Sequence, residues 1–398
     1  MSQQRATIRL KPKTDPRKIR RGFPWVYAGE IVTDRRTKAL APGCVATLED
    51  AERRPLAAVA VNPNSKIFAR VLDSDPDAVI DDAWLSARIA GALALRRSLF
   101  DSPFYRLVHA EGDGLPGVII DCFGDAAVVQ PNAAWADERL DLIADVLMRV
   151  VGVSTVIKSA SGRARALEGL DDVSAILTGA LGSAVPVPMN GATYMADLTG
   201  GQKTGLFYDQ RPNHAFVARL ARDTDVLDVF SHVGGFALAA LAAGARSALA
   251  VDGSAPALAL AEDGAAASGV SDRFQTRTSD AFDAMVALAG EGRTFGTVVC
   301  DPPAFAPHKG ALDAGLRAYE KVARQAAALV APGGTLTLCS CSHAADLDKF
   351  RAASLRGIGR AGRRAQVLRT GFAGPDHPQH PHLAESSYLK AITLRLLP

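Results

Sequence analysis

Short apolar runs alternate with helical stretches through the C-terminal half of this 398-residue chain. The clearest example lies in residues 225–253, where an apolar run at 226–229 precedes an Ala-rich stretch at 236–243 and a second apolar run at 247–251. Runs of four to eight apolar residues are typical of buried parallel strands, and an apolar stretch closed by Gly244 is typical of a helix. This segment therefore predicts a βαβ unit.

The same alternation continues toward the C-terminus. A weak strand pattern at 274–277 and clearer runs at 297–300 and 335–339 predict three further strands, and a helix is predicted over 316–329. The pattern predicts an α/β domain with a Rossmann-like sheet.

The N-terminal half has a different pattern. Short runs separated by Pro, Gly and Asn predict a small β-rich domain over 1–75. Residues 76–182 predict a central α+β domain, with helices at 82–100 and 135–150 and strands at 126–130 and 155–158. The α/β domain then occupies 183–398, so the sequence predicts three domains, a number that its length also favours.

The first turn of the βαβ unit contains Gly234 and Gly235, and its second strand ends in Asp252. Dinucleotide binding needs the spacing G-x-G-x-x-G around a pyrophosphate, which is absent here. A nucleoside without phosphates, such as S-adenosylmethionine, needs only close backbone approach and an acid for its ribose. Asp228 could then meet the amino acid end of that cofactor. A glycine turn without a ligand, as in any α/β sheet, stays open from this stretch alone.

Further polar residues follow the other predicted strands. Asp280 follows the third strand, where it could accept from an adenine amino group, and Asp301 precedes Pro302 and Pro303 after the fourth. Cys341 lies beyond the apolar part of the fifth strand. Because ligands of open α/β sheets bind at the carboxyl ends of the strands, these residues are candidates for one site. The glycine-bounded loop at 201–211 could close over it.

Charge and cysteine usage exclude several classes of protein. The net charge is +3, but residues 1–40 contain eleven Lys or Arg against three acids, which favours a polyanionic partner over a solvated tail. Five cysteines without a C-x-x-C pair indicate neither a disulfide framework nor a zinc site. No apolar run reaches ~18 residues and no signal peptide is evident, so a soluble cytoplasmic protein is expected.

Arginines and aromatic residues are interleaved in the segment 20–27. Arginine can meet phosphate and an aromatic face can stack on a base, so this segment suits RNA. A hydrophobic plug under a basic surface is equally consistent with these residues.

Together these pieces resemble a class I S-adenosylmethionine-dependent RNA methyltransferase, and more closely the PUA-containing family of 23S ribosomal RNA cytosine-C5 methyltransferases. The resemblance covers nearly the whole chain, and the order and spacing of its motifs make it specific. The motifs are Gly22-Phe23-Pro24-Trp25-Val26, Arg106-Leu107 with Glu111 to Gly117, Lys203-Thr204-Gly205 with Asp209-Gln210-Arg211, Phe230 to Phe236, Asp301-Pro302-Pro303, Ser340-Cys341-Ser342, and Asp376-His377-Pro378 with Tyr388-Leu389-Lys390.

The resemblance implies an N-terminal PUA domain, a central domain and a Rossmann-like methyltransferase domain that uses S-adenosylmethionine and no metal. It makes Cys341 the nucleophile and places Asp301 against the base. Ribosomal RNA is the implied partner, and a homodimer stays open. The implied cofactor residues are Phe207, Gln210, Asp228, Phe230, Ser231, Gly234, Gly235, Asp252, Gly253, Asp280, Ala281 and Asp301. The implied RNA residues are Arg20, Arg21, Trp25, Lys203, Arg211, Pro302 and Phe305.

The chain departs from the family pattern at Ala304, where Lys is usual, and at His343, where Gly is common. These departures concern the identity of the substrate base and its site more than the ability to transfer a methyl group. Two alternatives remain. One is methylation of a base nitrogen, with Phe305 stacked on the base and no role for a cysteine; the other is a non-catalytic RNA-binding assembly protein. A dehydrogenase is disfavoured by the missing glycine motif.

Overall fold

The computed structural model describes residues 5–182, 184–200 and 205–398. These residues form two compact units. The first contains residues 5–182, 198–200, 205 and 375–386, and the second contains 184–197, 206–374 and 387–398. Both predicted N-terminal domains fall in the first unit, and the division into three domains stays a prediction.

The N-terminal part of the first unit is a five-stranded sheet with the order β1-β3-β4-β5-β2. In the third strand, Ala46 and Leu48 are buried while Val45, Thr47 and Glu49 are half-buried, the period of two expected of a strand with one face on a core. The elements are β1 (Ala6–Arg9), α1 (Arg17–Arg20), β2 (Trp25–Tyr27), α2 (Arg35–Lys38), β3 (Val45–Glu49), β4 (Pro55–Val61) and β5 (Ile67–Asp73).

The rest of the first unit is built on a second five-stranded sheet, with the order β10-β9-β8-β7-β6. Its elements are α3 (Asp82–Leu99), β6 (Phe104–His109), β7 (Val118–Phe123), β8 (Ala126–Pro131), α4 (Ala134–Asp137), α5 (Leu140–Val146), β9 (Thr155–Lys158), α6 (Arg163–Glu168) and β10 (Ala175–Thr178).

The single helix predicted over 135–150 is wrong in one respect, because the structure breaks it between α4 and α5. The backbone N–H of Arg139 donates to Ala136 O instead of Trp135 O. The Arg139 guanidinium takes the Trp135 carbonyl at 3.2 Å and also contacts Gly43 O. A side chain thus replaces the helical hydrogen bond, and the chain turns.

The second unit begins with the hairpin β11 (Val185–Met189) and β12 (Ala192–Ala196) and continues as a seven-stranded sheet with the order β15-β14-β13-β16-β17-β19-β18. Its elements are α7 (Arg211–Leu220), β13 (Asp225–Val229), α8 (Gly235–Ala242), β14 (Ser247–Asp252), α9 (Ala255–Ala267), β15 (Phe274–Thr278), α10 (Ala281–Gly290), β16 (Phe295–Cys300), α11 (Leu312–Ala328), β17 (Val330–Ser340), α12 (Leu347–Arg360), β18 (Ala365–Gly371) and β19 (Lys390–Leu396).

Strands β15, β14, β13, β16 and β17 are parallel, and β19 runs antiparallel to both of its neighbours. The central strand β13 is buried on both faces, because residues 226–229 are all buried; on one of these faces Leu227 and Val229 pack in the core that includes Tyr319 and Phe350. Strands covered on both sides read as continuous apolar runs, which is why the sequence predicted them well. The expected Rossmann-like α/β fold is confirmed.

The order of the strands positions the site. The chain moves from β13 outward to β14 and β15, then returns to the other side of β13 with β16. Ligands of such sheets bind at this reversal, beside the carboxyl ends of the two strands. Asp228 lies near the end of β13 and Asp301 directly follows β16. Among the described residues, no helix is both long and apolar enough to cross a bilayer.

Candidate active site

Asp228 is fully buried at the carboxyl end of β13, below the first turn of α8. Its Oδ2 accepts from the Ala237 backbone N–H at 2.9 Å, whereas its Oδ1 has no hydrogen-bond partner among the described residues. Burial raises the pKa of this carboxyl to about 7, against the opposing effect of the α8 amides. A buried oxygen without a partner is costly, so the position suits a donor supplied by a ligand.

The loop from Phe230 to Gly235 follows at the same edge. Three of its residues have left-handed backbone: Phe230 (φ 62), His232 (φ 50) and Gly234 (φ 78). Such conformations cost energy in residues other than glycine and concentrate at ligand sites. Ser231 Oγ is buried without a partner in the described part of the chain.

Asp252 fixes this loop from the end of β14. One carboxylate oxygen accepts from the His232 N–H and the other from the Ser254 N–H, each at 2.8 Å. On the other side, a Cβ on Gly235 would lie 2.8 Å from His214 Nε2, so only glycine fits the observed packing. At Gly235 the loop therefore approaches the edge of the sheet without a side chain. Two buried oxygens lie at this edge without a hydrogen-bond partner among the described residues, Asp228 Oδ1 on β13 and Ser231 Oγ in the loop.

The segment before α7 lies against the same edge. Gln210 is buried; its Nε2 donates to Asp301 Oδ2 at 2.9 Å, and its Oε1 accepts from Asn213 Nδ2 at 2.7 Å. The ring of Phe207 lies 5.1 Å from that of His232. Residues from before α7, after β13 and after β16 are thus brought together, as the sequence predicted for Phe207, Gln210 and Asp301.

The predicted residues after β14 and β15 have local roles as well. Asp280 caps α10, and its Oδ1 accepts from the N–H groups of Phe282 and Asp283. The Ala281 side chain is buried in the core, whereas Gly253 is exposed, and a Cβ there would lie 4.0 Å from Ser279 O. Their cofactor assignment stays a prediction.

Three half-buried phenylalanines form a cluster beside this edge. Ring centroids are 6.3 Å apart for each pair among Phe230, Phe282 and Phe305. Phe305 also lies 5.0 Å from the ring of Tyr319, on α11. Aromatic pairs at these distances stabilise each other by about 0.5–1.5 kcal/mol. The packing accounts for part of each ring, and a contact between Phe305 and a base stays a prediction.

Cys341 follows β17, which pairs with β16 so that Leu338 lies beside Cys300. Cys341 is half-buried, and its Sγ lies 4.0 Å from Pro302 O, directly after Asp301. The structure therefore brings the two predicted catalytic residues to adjacent loops.

The serines on either side of Cys341 are held by Tyr319. Ser340 Oγ donates to Tyr319 Oη at 2.8 Å, and Tyr319 Oη lies 2.7 Å from Ser342 Oγ. Ser342 Oγ also accepts from the Ala306 N–H at 2.9 Å. Because the Tyr319 hydroxyl accepts from Ser340, its own proton is available to donate to Ser342 Oγ. The network ties the loop of Cys341 to the loop that begins at Asp301.

Lys390 provides a cation next to this loop. It is buried on β19 opposite Ser340, and its Nζ donates to the carbonyls of Ser342 and Ala345 at 2.7 Å each. Burial lowers the pKa of Lys390, and the negative charges of an ionised Cys341 and of Asp346 oppose that shift. An ammonium group so placed favours the thiolate form of a nearby cysteine.

Comparison with known proteins identifies the family. Residues 8–74 match the model of a PUA-like domain, and residues 160–394 match the model of an S-adenosylmethionine-dependent methyltransferase. Ribosomal RNA large subunit methyltransferase I of Alteromonas mediterranea is 34% identical over 391 residues, which cover 97% of this chain and 98% of that protein. The chain belongs to this family of PUA-containing S-adenosylmethionine-dependent methyltransferases.

Two further similarities agree with this family. A ribosomal RNA large subunit methyltransferase of Deinococcus radiodurans is 34% identical, with 95% of this chain and 94% of that one covered. A solved structure from Streptococcus mutans, provisionally assigned as a SAM-dependent methyltransferase, has a TM-score of 0.81, covers 98% of this chain and 100% of that one, and is 20% identical. At this identity the likeness shows the fold.

S-adenosylmethionine is the cofactor of the family, and the residues present fit it. The two unsatisfied oxygens of Asp228 and Ser231 can accept from the cofactor's ammonium group, and the glycines allow the close approach that a nucleoside needs. When bound, S-adenosylmethionine supplies an electrophilic methyl group. The described residues contain no group of three or more His, Cys, Asp or Glu that could hold a metal ion.

The predicted RNA residues lie in both units of the methyltransferase. Arg20 and Arg21 are exposed in the first unit, with Arg20 contacting Asp50 at 3.2 Å. Trp25 is half-buried there, and its Nε1 donates to Glu111 Oε1 at 2.7 Å. In the second unit, Arg211 begins α7 with its guanidinium 5.2 Å from the Tyr208 ring, and Pro302 is buried. Lys203 lies outside the described residues.

Sequence reasoning missed Tyr319 as a member of the site. Its place within an Ala-rich helix gives no sign that its hydroxyl reaches two strand-end serines. Lys390 belongs to the motif Tyr388-Leu389-Lys390 of the sequence analysis. Its position opposite Ser340 could not be predicted, because it depends on the antiparallel pairing of β17 and β19.

Proposed function

We propose that this methyltransferase transfers a methyl group from S-adenosylmethionine to C5 of a cytosine in ribosomal RNA of the large subunit. The observation that carries the proposal is the placement of Cys341 and Asp301 on adjacent loops beside the reversal of the sheet, with the Cys341 Sγ 4.0 Å from Pro302 O. The names of the relatives support ribosomal RNA as the substrate.

Cys341 is needed because C5 of cytosine is a poor nucleophile. Addition of the thiolate to C6 forms a sulfur–carbon bond and moves an electron pair toward C5. C5 can then bond to the methyl carbon, with cleavage of the carbon–sulfur bond of the sulfonium and release of S-adenosylhomocysteine. Loss of the C5 proton restores the double bond and expels the thiolate, so the cysteine is regenerated. Lys390 supports the thiolate before addition and after expulsion.

Asp301 holds the Watson–Crick edge of the base in this proposal. As the thiolate adds to C6, electron density grows at N3, where a protonated carboxyl can donate; an ionised carboxyl can accept from the 4-amino group. Gln210 fixes the direction of this carboxyl through the bond to Oδ2. The base must be single-stranded or unstacked to reach the crevice. A homodimer and a cytoplasmic location stay predictions.

The test is methyl transfer from labelled S-adenosylmethionine into ribosomal RNA by the wild type, Cys341→Ala and Cys44→Ala. Cys44 is a matched control because it is also half-buried but belongs to the first unit. We expect 5-methylcytidine from the wild type and Cys44→Ala, and none from Cys341→Ala. RNA containing 5-fluorocytidine should trap a covalent complex, because the fluorine cannot leave as a cation.

Equal label from wild type and Cys341→Ala, or a product other than 5-methylcytidine, would contradict the proposal. Such a result would favour methylation of a base nitrogen, with Asp301 and Phe305 holding the base. RNA binding with no methyl transfer would instead favour a non-catalytic assembly protein.

A further inference from the structure

A basic groove lies between α11 and α12 on the outer surface of the second unit. The groove has a volume of ≈ 350 Å³ and is lined by Arg317, Glu320, Lys321, Arg324 and Arg360. Arg317, Lys321 and Arg324 are exposed and form no ion pair with any described residue. Unpaired cations gathered in one groove create a positive potential that attracts a polyanion.

Helix geometry explains why these cations share one face. Positions 317, 321 and 324 are separated by four and three residues, so they form one row on α11, about 10 Å long at the rise of a helix. Tyr319 points from the same helix to the serines beside Cys341. Helix α11 therefore has one face in the site and another, basic face toward solvent.

A close helix contact brings a second row of cations to the groove. A Cβ on Gly357 would lie 2.3 Å from Glu320 O and 2.8 Å from Ala323 Cβ, so α12 packs directly against the backbone of α11. This contact places Arg356 and Arg360 beside Glu320, and both form ion pairs with its carboxylate. Arg356 and Arg360 thus neutralise the negative charge of Glu320. The row of three cations on α11 therefore keeps its positive charge.

The groove starts close to the candidate active site. Gly315, two residues before Arg317 on α11, packs so tightly that a Cβ there would lie 2.8 Å from Phe305 O. Lys321 Nζ lies 4.3 Å from the ring centroid of Phe282, a member of the phenylalanine cluster. The row of cations therefore leads away from the loop of Asp301 along the side of the same unit.

We propose that this groove binds the phosphate backbone of the RNA that carries the target base, so that the strand continues from the active site along α11. The inference rests on the proposed function for the identity of the polyanion. The three unpaired cations of α11 and the paired Arg360 line the groove and fit successive phosphates, and no base-specific contact is required of them.

The test measures binding of a ribosomal RNA fragment by the full-length protein between 50 and 300 mM salt. The variant is Arg317→Gln, Lys321→Gln and Arg324→Gln combined. We expect affinity to fall at least about tenfold at low salt and the slope of log K against log salt to become less negative by about 2, since each phosphate contact contributes about 0.7–0.9. KM for RNA should rise by a similar factor.

A control with the same change in net charge removes three other exposed cations from the same unit, of which Arg246 is ion-paired with Asp225: Arg219→Gln, Arg222→Gln and Arg246→Gln. These residues lie in the last turn of α7 and before β13 and β14, at the opposite edge of the sheet. The control should bind RNA with a salt slope close to that of the wild type. Affinity for S-adenosylmethionine should be unchanged in both variants, which shows that the second unit is folded.

Equal loss of RNA affinity in the two triple variants would overturn the proposal that this groove binds RNA, because the loss would then depend on net charge alone. Wild-type affinity and slope in the α11 variant would overturn it as well. If the wild type transfers no methyl group to RNA, the proposed function fails separately, and the binding comparison still tests the groove. If an acidic protein binds the groove and RNA does not, RNA is the wrong partner for this groove.

Discussion

Gln210 Nε2 donates to Asp301 Oδ2 at 2.9 Å, which joins the segment before α7 to the loop after β16. Asn213 Nδ2 donates to the other end of the same amide, so the orientation of Gln210 is fixed. A glutamine does this because it has a donor at one end and an acceptor at the other. Asp301 is thereby held in place through its Oδ2.

Gln210→Glu should reduce methyl transfer in a pH-dependent way. The variant still accepts from Asn213 but places a carboxylate against Asp301, and two carboxylates in contact raise the pKa of one of them. We expect kcat to fall about tenfold or more near pH 8 and to recover partly toward pH 6, where one proton is shared. The measurement is the pH profile of kcat with saturating S-adenosylmethionine.

Gln210→Ala is the control for this prediction. It removes the donor without adding charge, so its kcat should be low at every pH and should show no recovery in acid. Parallel pH profiles for the two variants would mean that the Gln210–Asp301 bond has no electrostatic role in the reaction.

Asp228 should make the stability of the cofactor-free protein fall as pH rises from about 4 to about 7. Burial raises the pKa of this carboxyl to about 7, so the folded state keeps a proton that the unfolded state loses near pH 4. Between these values the folded state binds more protons, and stability decreases with pH by on the order of 4 kcal/mol at most. Asp228→Asn cannot titrate and should lack this decrease.

The measurement is the difference in free energy of unfolding between Asp228→Asn and wild type at several pH values. The difference is needed because burial lowers the pKa values of His109 and His214, to about 2 and about 3, and these histidines make stability rise with pH in both proteins. The variant should gain stability relative to wild type up to pH 7. A constant difference would show that Asp228 ionises normally.

Tyr319→Phe should lower both stability and activity. The change leaves the buried hydroxyls of Ser340 and Ser342 without their shared partner, which costs about 1–3 kcal/mol. Because these serines flank Cys341, we also expect slower trapping of 5-fluorocytidine RNA. Unfolding in denaturant and the rate of covalent complex formation measure the two effects.

Tyr105→Phe is a matched control for Tyr319→Phe. Tyr105 is as deeply buried but lies on β6 in the first unit, so it should not alter the rate of trapping. If both variants trap RNA at the wild-type rate, the Tyr319 network supports the fold without orienting Cys341.

The sequence predicted the parallel strands and the residues at their ends because both depend on local patterns. Buried strands such as β13 and β16 are mainly apolar; Asp228 lies next to the last residue of β13, and Asp301 and Cys341 directly follow β16 and β17. Parallel strands place their carboxyl ends at one edge whatever the order of strands, so these residues could be assigned to one site before their distances were known.

Contacts between distant segments could not be predicted in this way. The Arg139 side chain that interrupts a helix by taking the Trp135 carbonyl has no local signal, because arginine is otherwise a good helix former. The reach of Tyr319 to Ser342 requires that α11 pack on β17, and the close approach of α12 at Gly357 requires the three-dimensional arrangement of both helices.

Trp25→Phe should weaken the first unit more than it weakens RNA binding. The indole Nε1 donates to Glu111 Oε1 at 2.7 Å, and Arg70 contacts the same oxygen at 3.0 Å while its guanidinium lies 5.9 Å from the indole ring. These contacts tie β2 to the turn after β6, as expected of a structural plug. Phenylalanine keeps a face for stacking but cannot donate, so we expect a loss of about 1–3 kcal/mol of stability and an RNA affinity within about twofold of wild type.

A double-mutant cycle with Glu111→Gln separates the two interpretations of Trp25. If Trp25 acts through Glu111, the two substitutions should be non-additive, with a coupling of about 0.5–3 kcal/mol in the free energy of unfolding. Arg20→Gln and Arg21→Gln combined should instead lower RNA affinity and reduce the salt slope by about 2, because both side chains are exposed. Additive stability effects, together with a large loss of RNA affinity in Trp25→Ala but not in Trp25→Phe, would show that the aromatic ring of Trp25 stacks on a base.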